Sequence, residues 1–251
     1  MRILVTGGDG FVGTHLVNKL RKNGHEVFIF DNHTTSLVST EVDKDVYDYE
    51  QVLCMVEDVD FVFHLAAVVG VSFVKDNQAV CLQDIIGTMN VCMATAEHKT
   101  KVVYISTDYV YPGTTGNYKE TDDIKPINFY AYSKWIGEHA VRAYRYDWLI
   151  LRTSFKPSEW QYDRVFDDVY TSADYADVIA EKIACVINSG ECGIYNVGTE
   201  RKTLYDLAKR RNADVVPVSS KDGWRIVVKM PTDCSMDCGK LDKLIDKIKG
   251  D

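Results

Sequence analysis

The sequence predicts an α/β fold built on a doubly wound parallel sheet, with a small C-terminal lobe for substrate. Three observations predict it. An apolar run at residues 2–6 ends in glycines and opens a helical pattern, short apolar runs then alternate with helical stretches as far as residue 152, and the pattern loosens afterwards. Residues 2–6 (Arg-Ile-Leu-Val-Thr) read as the first strand. Phe11, Val12, Leu16, Val17 and Leu20 recur at helical spacing, and Asn23-Gly24 supplies a C-cap. A second strand starts in residues 25–30 and ends at Asp31, which makes a βαβ unit with a right-handed crossover. Little chain separates Asp31 from a strand candidate at residues 42–45, so the second crossover reads as abbreviated. Helices are expected at residues 48–57, 79–97 and 129–146, and strands at 61–65, 101–106 and 148–152. Beyond Arg152 the expectations are a helix at 174–187, a strand at 194–197, a short helix after Thr203 and a final helix at 240–248. Residues 1–152 are thus read as the nucleotide-binding core, and 153–251 as a small substrate lobe whose late strands return to it.

At 251 residues the chain suits one large body, and 46% hydrophobic with 26% charged residues supports a sizeable core. The net charge of −8 repels nucleic acid polymers and anionic membrane surfaces, so neither is an expected partner. No secretory leader is read at Met1-Arg2-Ile3-Leu4-Val5, and no uninterrupted apolar stretch approaches 18 residues, so a cytoplasmic protein is expected. Seven scattered cysteines suit a reducing compartment better than a disulfide framework. Cys234 and Cys238 lack a second cluster, and no metal site is assigned.

Gly7, Gly10 and Gly13 stand between the first strand and the first helix. Such glycines allow a tight turn, close approach of backbone to a pyrophosphate, and close packing of helix on sheet, with the helix N-terminus facing the phosphate. This is the Rossmann arrangement for a dinucleotide. Asp31 lies 18 residues after Gly13, where a carboxylate would hydrogen-bond the adenosine ribose and repel a 2′-phosphate, so NAD is preferred over NADP.

These residues resemble the extended short-chain dehydrogenases, the nucleotide-sugar epimerase, dehydratase and reductase group. The glycine spacing matches the family's TGxxGxxG pattern, and His64-Leu65-Ala66-Ala67 looks like its HxAA segment. Ser106-Thr107-Asp108-Tyr109-Val110-Tyr111 resembles its segment after the catalytic strand, and Tyr130-Ala131-Tyr132-Ser133-Lys134 supplies YxxxK. Leu151-Arg152 and Tyr195-Asn196-Val197-Gly198 match weaker signatures. The Ser-Thr-Asp-Tyr-Val wording and the Pro126-x-Asn128-x-Tyr130 approach are most similar to the dTDP-4-dehydrorhamnose reductase branch. Tyr109 replaces the glutamate of a dehydratase, and Asp84 stands where family members usually carry Asn.

The resemblance implies a cofactor site formed by Gly7, Gly10, Phe11, Val12 and Gly13, by Asp31 and Asn32, by Asp45 and Val46, by Leu65, Ala66 and Ala67, and by Tyr130 and Lys134. It implies catalysis by Thr107, Tyr130 and Lys134, a nucleotide-sugar substrate, and a homodimer through a four-helix interface. Reduction or oxidation at a carbinol carbon needs a proton moved on or off the oxygen. Tyr130 is the expected acid/base, its phenol pulled down by the ammonium of Lys134 one helical turn away; Thr107 would orient the substrate oxygen, and Asp108 is a further candidate donor. His64 reads as a packed strand-end residue. The leading function is 4-keto reduction of a nucleotide-sugar, with an NAD-dependent epimerase and a non-catalytic dinucleotide-binding regulatory subunit as alternatives.

Overall fold

The computed structural model describes residues 1–32, 45–68, 77–144, 147–222 and 231–250. Its centre is a six-stranded parallel sheet of β1 (Arg2–Thr6), β2 (Glu26–Phe30), β3 (Phe61–His64), β4 (Lys101–Thr107), β5 (Trp148–Thr153) and β10 (Gly193–Val197), in the order β10-β5-β4-β3-β1-β2. The strand candidate at residues 42–45 falls largely outside the described residues. Consecutive side chains of each strand enter opposite layers. Ile3 and Val5, Val103 and Ile105, and Leu149 and Leu151 join one core, while Leu4, Val102, Tyr104 and Ile150 join the other. Burial on both faces is why these strands read as continuous apolar runs rather than alternating ones.

On the first face lie α1 (Phe11–Lys22), α5 (Ala176–Cys185) and α7 (Gly239–Gly250); on the second lie α2 (Tyr49–Val56), α3 (Gln78–His98) and α4 (Phe129–Tyr144). The first helix stops where Asn23-Gly24 foretold. Gly24 has φ +84°, its N–H donates to Arg21 O, and His25 N–H reaches back to Leu20 O, a Schellman termination. The expected helix at 174–187 starts two residues later, because Asp174–Tyr175 forms strand β9, and its end tightens into a 3₁₀ turn at Val186–Asn188.

The rest is made of two-stranded pieces. β6 (Phe155–Lys156) pairs with β9, β7 (Arg164–Phe166) with β12 (Val216–Val218), and β8 (Tyr170–Thr171) with β11 (Lys202–Thr203), the last leading into α6 (Leu204–Lys209). Residues 232–237 thread between two loops: the N–H groups of Thr232 and Asp233 donate to Gly113 O, Cys234 N–H donates to Tyr170 O, and Asp237 N–H donates to Tyr118 O. The late chain thereby holds the 113–118 loop that follows β4.

Candidate active site

The chain reverses its strand order around β1, so a crevice opens at the C-terminal ends of β1 and β3, where α/β sheets place their ligands. The glycine turn fills the floor of that crevice. Gly7 has φ +69°, and a Cβ there would lie 2.7 Å from Ala66 N; a Cβ on Gly13 would overlap Gly7 O. Gly10 is the N-cap of α1, which has no side-chain cap and no acidic residue in its first turn, where Phe11 is exposed and Val12 buried. An uncapped, carboxylate-free N-terminus of a 12-residue helix is a seat for a pyrophosphate. Asp31, at the end of β2, accepts the N–H of Asp9 at 2.9 Å, which fixes its carboxylate beside the turn, and exposed Asn32 follows it. Asp45 and Val46 lie in the turn before α2: Asp45 accepts Tyr47 N–H, and Asn90 donates to Val46 O while Val46 packs on Gly87. Leu65, Ala66 and Ala67 leave β3 half-buried next to Gly7. These residues fit a dinucleotide lying across β1 and β3.

His64 is explained by a hydrogen-bond chain. Ala66 N–H donates to Thr6 Oγ1, whose hydroxyl lies 2.7 Å from His64 Nδ1; His64 Nε2 lies 3.0 Å from Thr88 Oγ1, which itself donates to Asp84 O. With Thr88's hydrogen used on Asp84 O, the proton belongs on Nε2 and Nδ1 accepts. Burial drives the imidazole pKa down to about 3, so the ring is a neutral strut.

Tyr130 and Lys134 lie one turn apart on α4, facing the end of β4. Tyr130 is half-buried and Lys134 is buried, its ammonium 4.6 Å from the centre of the Tyr104 ring. One expectation is corrected here: the phenol of Tyr130 is raised, not lowered. Burial is the main cause, with the carboxylates of Asp108 and Asp84 adding to it. Burial also takes Lys134 down to about 8, against the pull of Asp84 and Glu138. Desolvation and the carboxylates act together on Tyr130, while for Lys134 desolvation outweighs the neighbouring charges.

Thr107, the last residue of β4, accepts Tyr109 N–H at 3.2 Å and donates to Asp108 at 3.2 Å. Its hydroxyl therefore caps the 3₁₀ turn Asp108–Val110, and a substrate oxygen would compete with Asp108 for its proton. Asp108 is 1% exposed, and burial lifts its carboxyl to about 7, opposed by Lys156 and by the hydroxyls of Thr107 and Ser154. Asp84 receives Val68 N–H on both oxygens at 3.1 and 3.2 Å, tying α3 to the chain just after the HxAA segment.

Sequence reasoning missed the support beneath this site. Glu138, a further turn along α4, is 2% exposed and accepts from Arg152 Nε at 2.9 Å, Arg152 Nη2 at 2.7 Å and Ser106 Oγ at 2.7 Å. Arg152 Nη1 also donates to Tyr111 OH, which donates to Asn196 Oδ1. The Leu151-Arg152 and Asn196 signatures are thus parts of one buried lattice joining α4 to β4, β5 and β10. Continuing the Tyr130/Lys134 spacing by one turn would have pointed to Glu138.

Residues 1–165 match the family described as RmlD substrate binding domain. Among curated relatives, a UDP-N-acetyl-alpha-D-glucosaminuronate decarboxylase of Bacillus cytotoxicus is 25% identical over 248 residues, covering 88% of this chain and 75% of that one. A probable low-salt glycan biosynthesis reductase of Haloferax volcanii is 36% identical over 163 residues, covering 62% of this chain and 53%, about half, of its own length. Among solved structures, a hypothetical dTDP-4-dehydrorhamnose reductase from Sulfolobus tokodaii superposes with a TM-score of 0.80 at 26% identity, covering 97% of this chain and 94% of that one.

Proposed function

The chain belongs to the RmlD substrate-binding-domain family, and from that premise we propose that it reduces the keto group of a nucleotide-activated sugar with a nicotinamide dinucleotide. What supports the reading is that Thr107 ends β4 at the edge of the sheet that carries the glycine turn, bonded to Asp108, whose charge acts on Tyr130, while Lys134 lies one turn from Tyr130 over the Tyr104 ring of β4. The relatives' names support it: one is a reductase and one acts on a UDP-linked sugar. The dinucleotide, when bound, supplies the hydride. Tyr130, raised and therefore protonated at neutral pH, gives its proton to the carbonyl oxygen, and the Lys134 ammonium stabilises the phenolate left behind. Thr107 holds the same oxygen.

NAD is the preferred form, because Asp31 stands by the turn and would meet a 2′-phosphate with like charge. The protein incubated with dTDP-4-keto-6-deoxyhexose and NADH should oxidise the cofactor steadily, and NADPH should serve less well. An epimerase would interconvert sugars without net loss of NADH. Binding of NADH with no turnover on any keto-sugar would leave only the regulatory reading.

We also propose that a second copy of this chain is a partner. α3 is long and apolar enough, by length and composition, to cross a membrane, but 44% of its most apolar window is buried in the protein. Val91 and Cys92 fill the core on one side, while Leu82, Ile86, Met89 and Met93 form a stripe on the other, 54% to 37% exposed, and Tyr132 of α4 is exposed as well. A single stripe at helical spacing next to a parallel neighbour fits a four-helix contact between two copies. Ile86→Glu should convert a dimer to a monomer in sedimentation equilibrium; a wild-type monomer at micromolar concentration would exclude the interface.

A further inference from the structure

Lys101 and Lys202, both buried, are satisfied by neighbours: Lys101 Nζ donates to Glu191 O at 2.6 Å, and Lys202 Nζ donates to Thr199 Oγ1 at 2.7 Å. Lys134 and Lys156 differ. Neither ammonium makes a hydrogen bond or an ion pair among the described residues; Lys134 lies over the Tyr104 ring of β4, and Lys156 is near Asp108, the residue after β4. The proposed cofactor role accounts for Lys134. Lys156 has no such explanation.

Its direction follows from the chain. β6 runs extended from the end of β5 and is held against β9, with Phe155 opposite Asp174 and Lys156 opposite Tyr175. Phe155 packs against the core on the α1 and α5 side, so the alternation of an extended strand turns its neighbours Ser154 and Lys156 the other way. That way lies Asp108, which both of them face: Ser154 as a hydrogen-bond donor and Lys156 as the charge that most strongly opposes the burial of the carboxyl. Thr107, Asp108, Ser154 and Lys156 therefore gather just past the end of β4, where the charge of Asp108 also acts on Tyr130.

Asp108 is a poor counter-ion. Its carboxyl is already shared by two hydroxyls, and burial lifts it to about 7, so it carries only part of its charge near neutral pH. A half-buried ammonium without a full negative charge beside it is costly, and an anionic oxygen is its strongest partner. We propose that Lys156 is a substrate-recognition residue whose ammonium takes an anionic oxygen group of the nucleotide-sugar beside the Thr107–Asp108 corner. This rests on the nucleotide-sugar reading above. The anionic group is a carboxylate on the sugar ring or a phosphate of the nucleotide diphosphate, and the chemistry of the contact is the same for both.

Calorimetric titration of the NAD-loaded protein with UDP-glucose and UDP-glucuronic acid, and with the dTDP pair, separates the sources. Lys156→Met should weaken binding at least tenfold. A loss confined to the uronic acids assigns the ammonium to a sugar carboxylate, whereas an equal loss on both members of a pair assigns it to the diphosphate. Lys156→Arg should keep most of the affinity, and NAD binding should be unchanged in both variants, which separates lost recognition from lost folding. Wild-type binding matched by Lys156→Met would overturn the role of Lys156 and leave the nucleotide-sugar reading standing. Wild-type protein that binds NAD but none of the four nucleotide-sugars would overturn both.

Discussion

Tyr130→Phe should lower kcat by roughly 10²–10⁴-fold while the affinity for NADH stays within about twofold, because the substitution removes the hydroxyl that donates the proton and keeps the aromatic ring beside the cofactor. Stopped-flow turnover alongside fluorescence titration of NADH measures both. Lys134→Met should lower kcat and NADH affinity together, since its ammonium is assigned two tasks. The pH profile carries the same assignment. Lys134 titrates at about 8 in the free protein, below the ordinary lysine value, so its charged form prevails below that pH and disappears above it. Accordingly kcat/KM should fall as pH rises through about 8, and that limb should be missing from Lys134→Arg, whose guanidinium does not titrate there. Full turnover by Tyr130→Phe would remove the phenol from the chemistry.

Arg152→Met should destabilise the fold by about 3–5 kcal/mol, because it strands the Glu138 carboxylate in the interior with one hydroxyl for company. The pair is 3% and 3% exposed in its side chains, so solvent cannot take the place of the guanidinium. The double variant Arg152→Met/Glu138→Leu should recover much of the loss, since an apolar pair leaves no buried charge. Urea denaturation of the three variants measures this coupling. Additive losses in the double variant would show that the two side chains act independently. Glu138 lies four residues beyond Lys134, so a surviving Arg152→Met protein should also show weaker NADH binding as α4 loses its anchor.

The frame of the fold was legible because it is set by local patterns. Buried parallel strands give unbroken apolar runs, and the turn at Gly7–Gly13 admits no side chain where backbone meets backbone. Tyr130 and Lys134 were legible for the same reason, being one helical turn apart. The supports were not. Glu138 reads as an ordinary helix charge until Arg152 arrives opposite it from a strand, and the tautomer of His64 depends on Thr6 and Thr88, respectively 58 and 24 residues away. The direction of the Tyr130 shift was misjudged because sequence shows the spacing of the ammonium but not the burial of the phenol. Lys156 carried no signal at all: its place beside Asp108 comes from a two-residue strand and from the side on which Phe155 packs. Residues 232–237 were equally opaque, since their partners at Gly113, Tyr118 and Tyr170 are set by long-range pairing.

A crystal structure of the protein grown with NAD tests the central claim directly. The account predicts the pyrophosphate over the first turn of α1 above Gly10, the adenosine ribose at Asp31, and the nicotinamide ribose within hydrogen-bond distance of Lys134, with Tyr130 beside the ring. A dinucleotide bound elsewhere, or bound at the glycine turn with its nicotinamide directed away from α4, would contradict it.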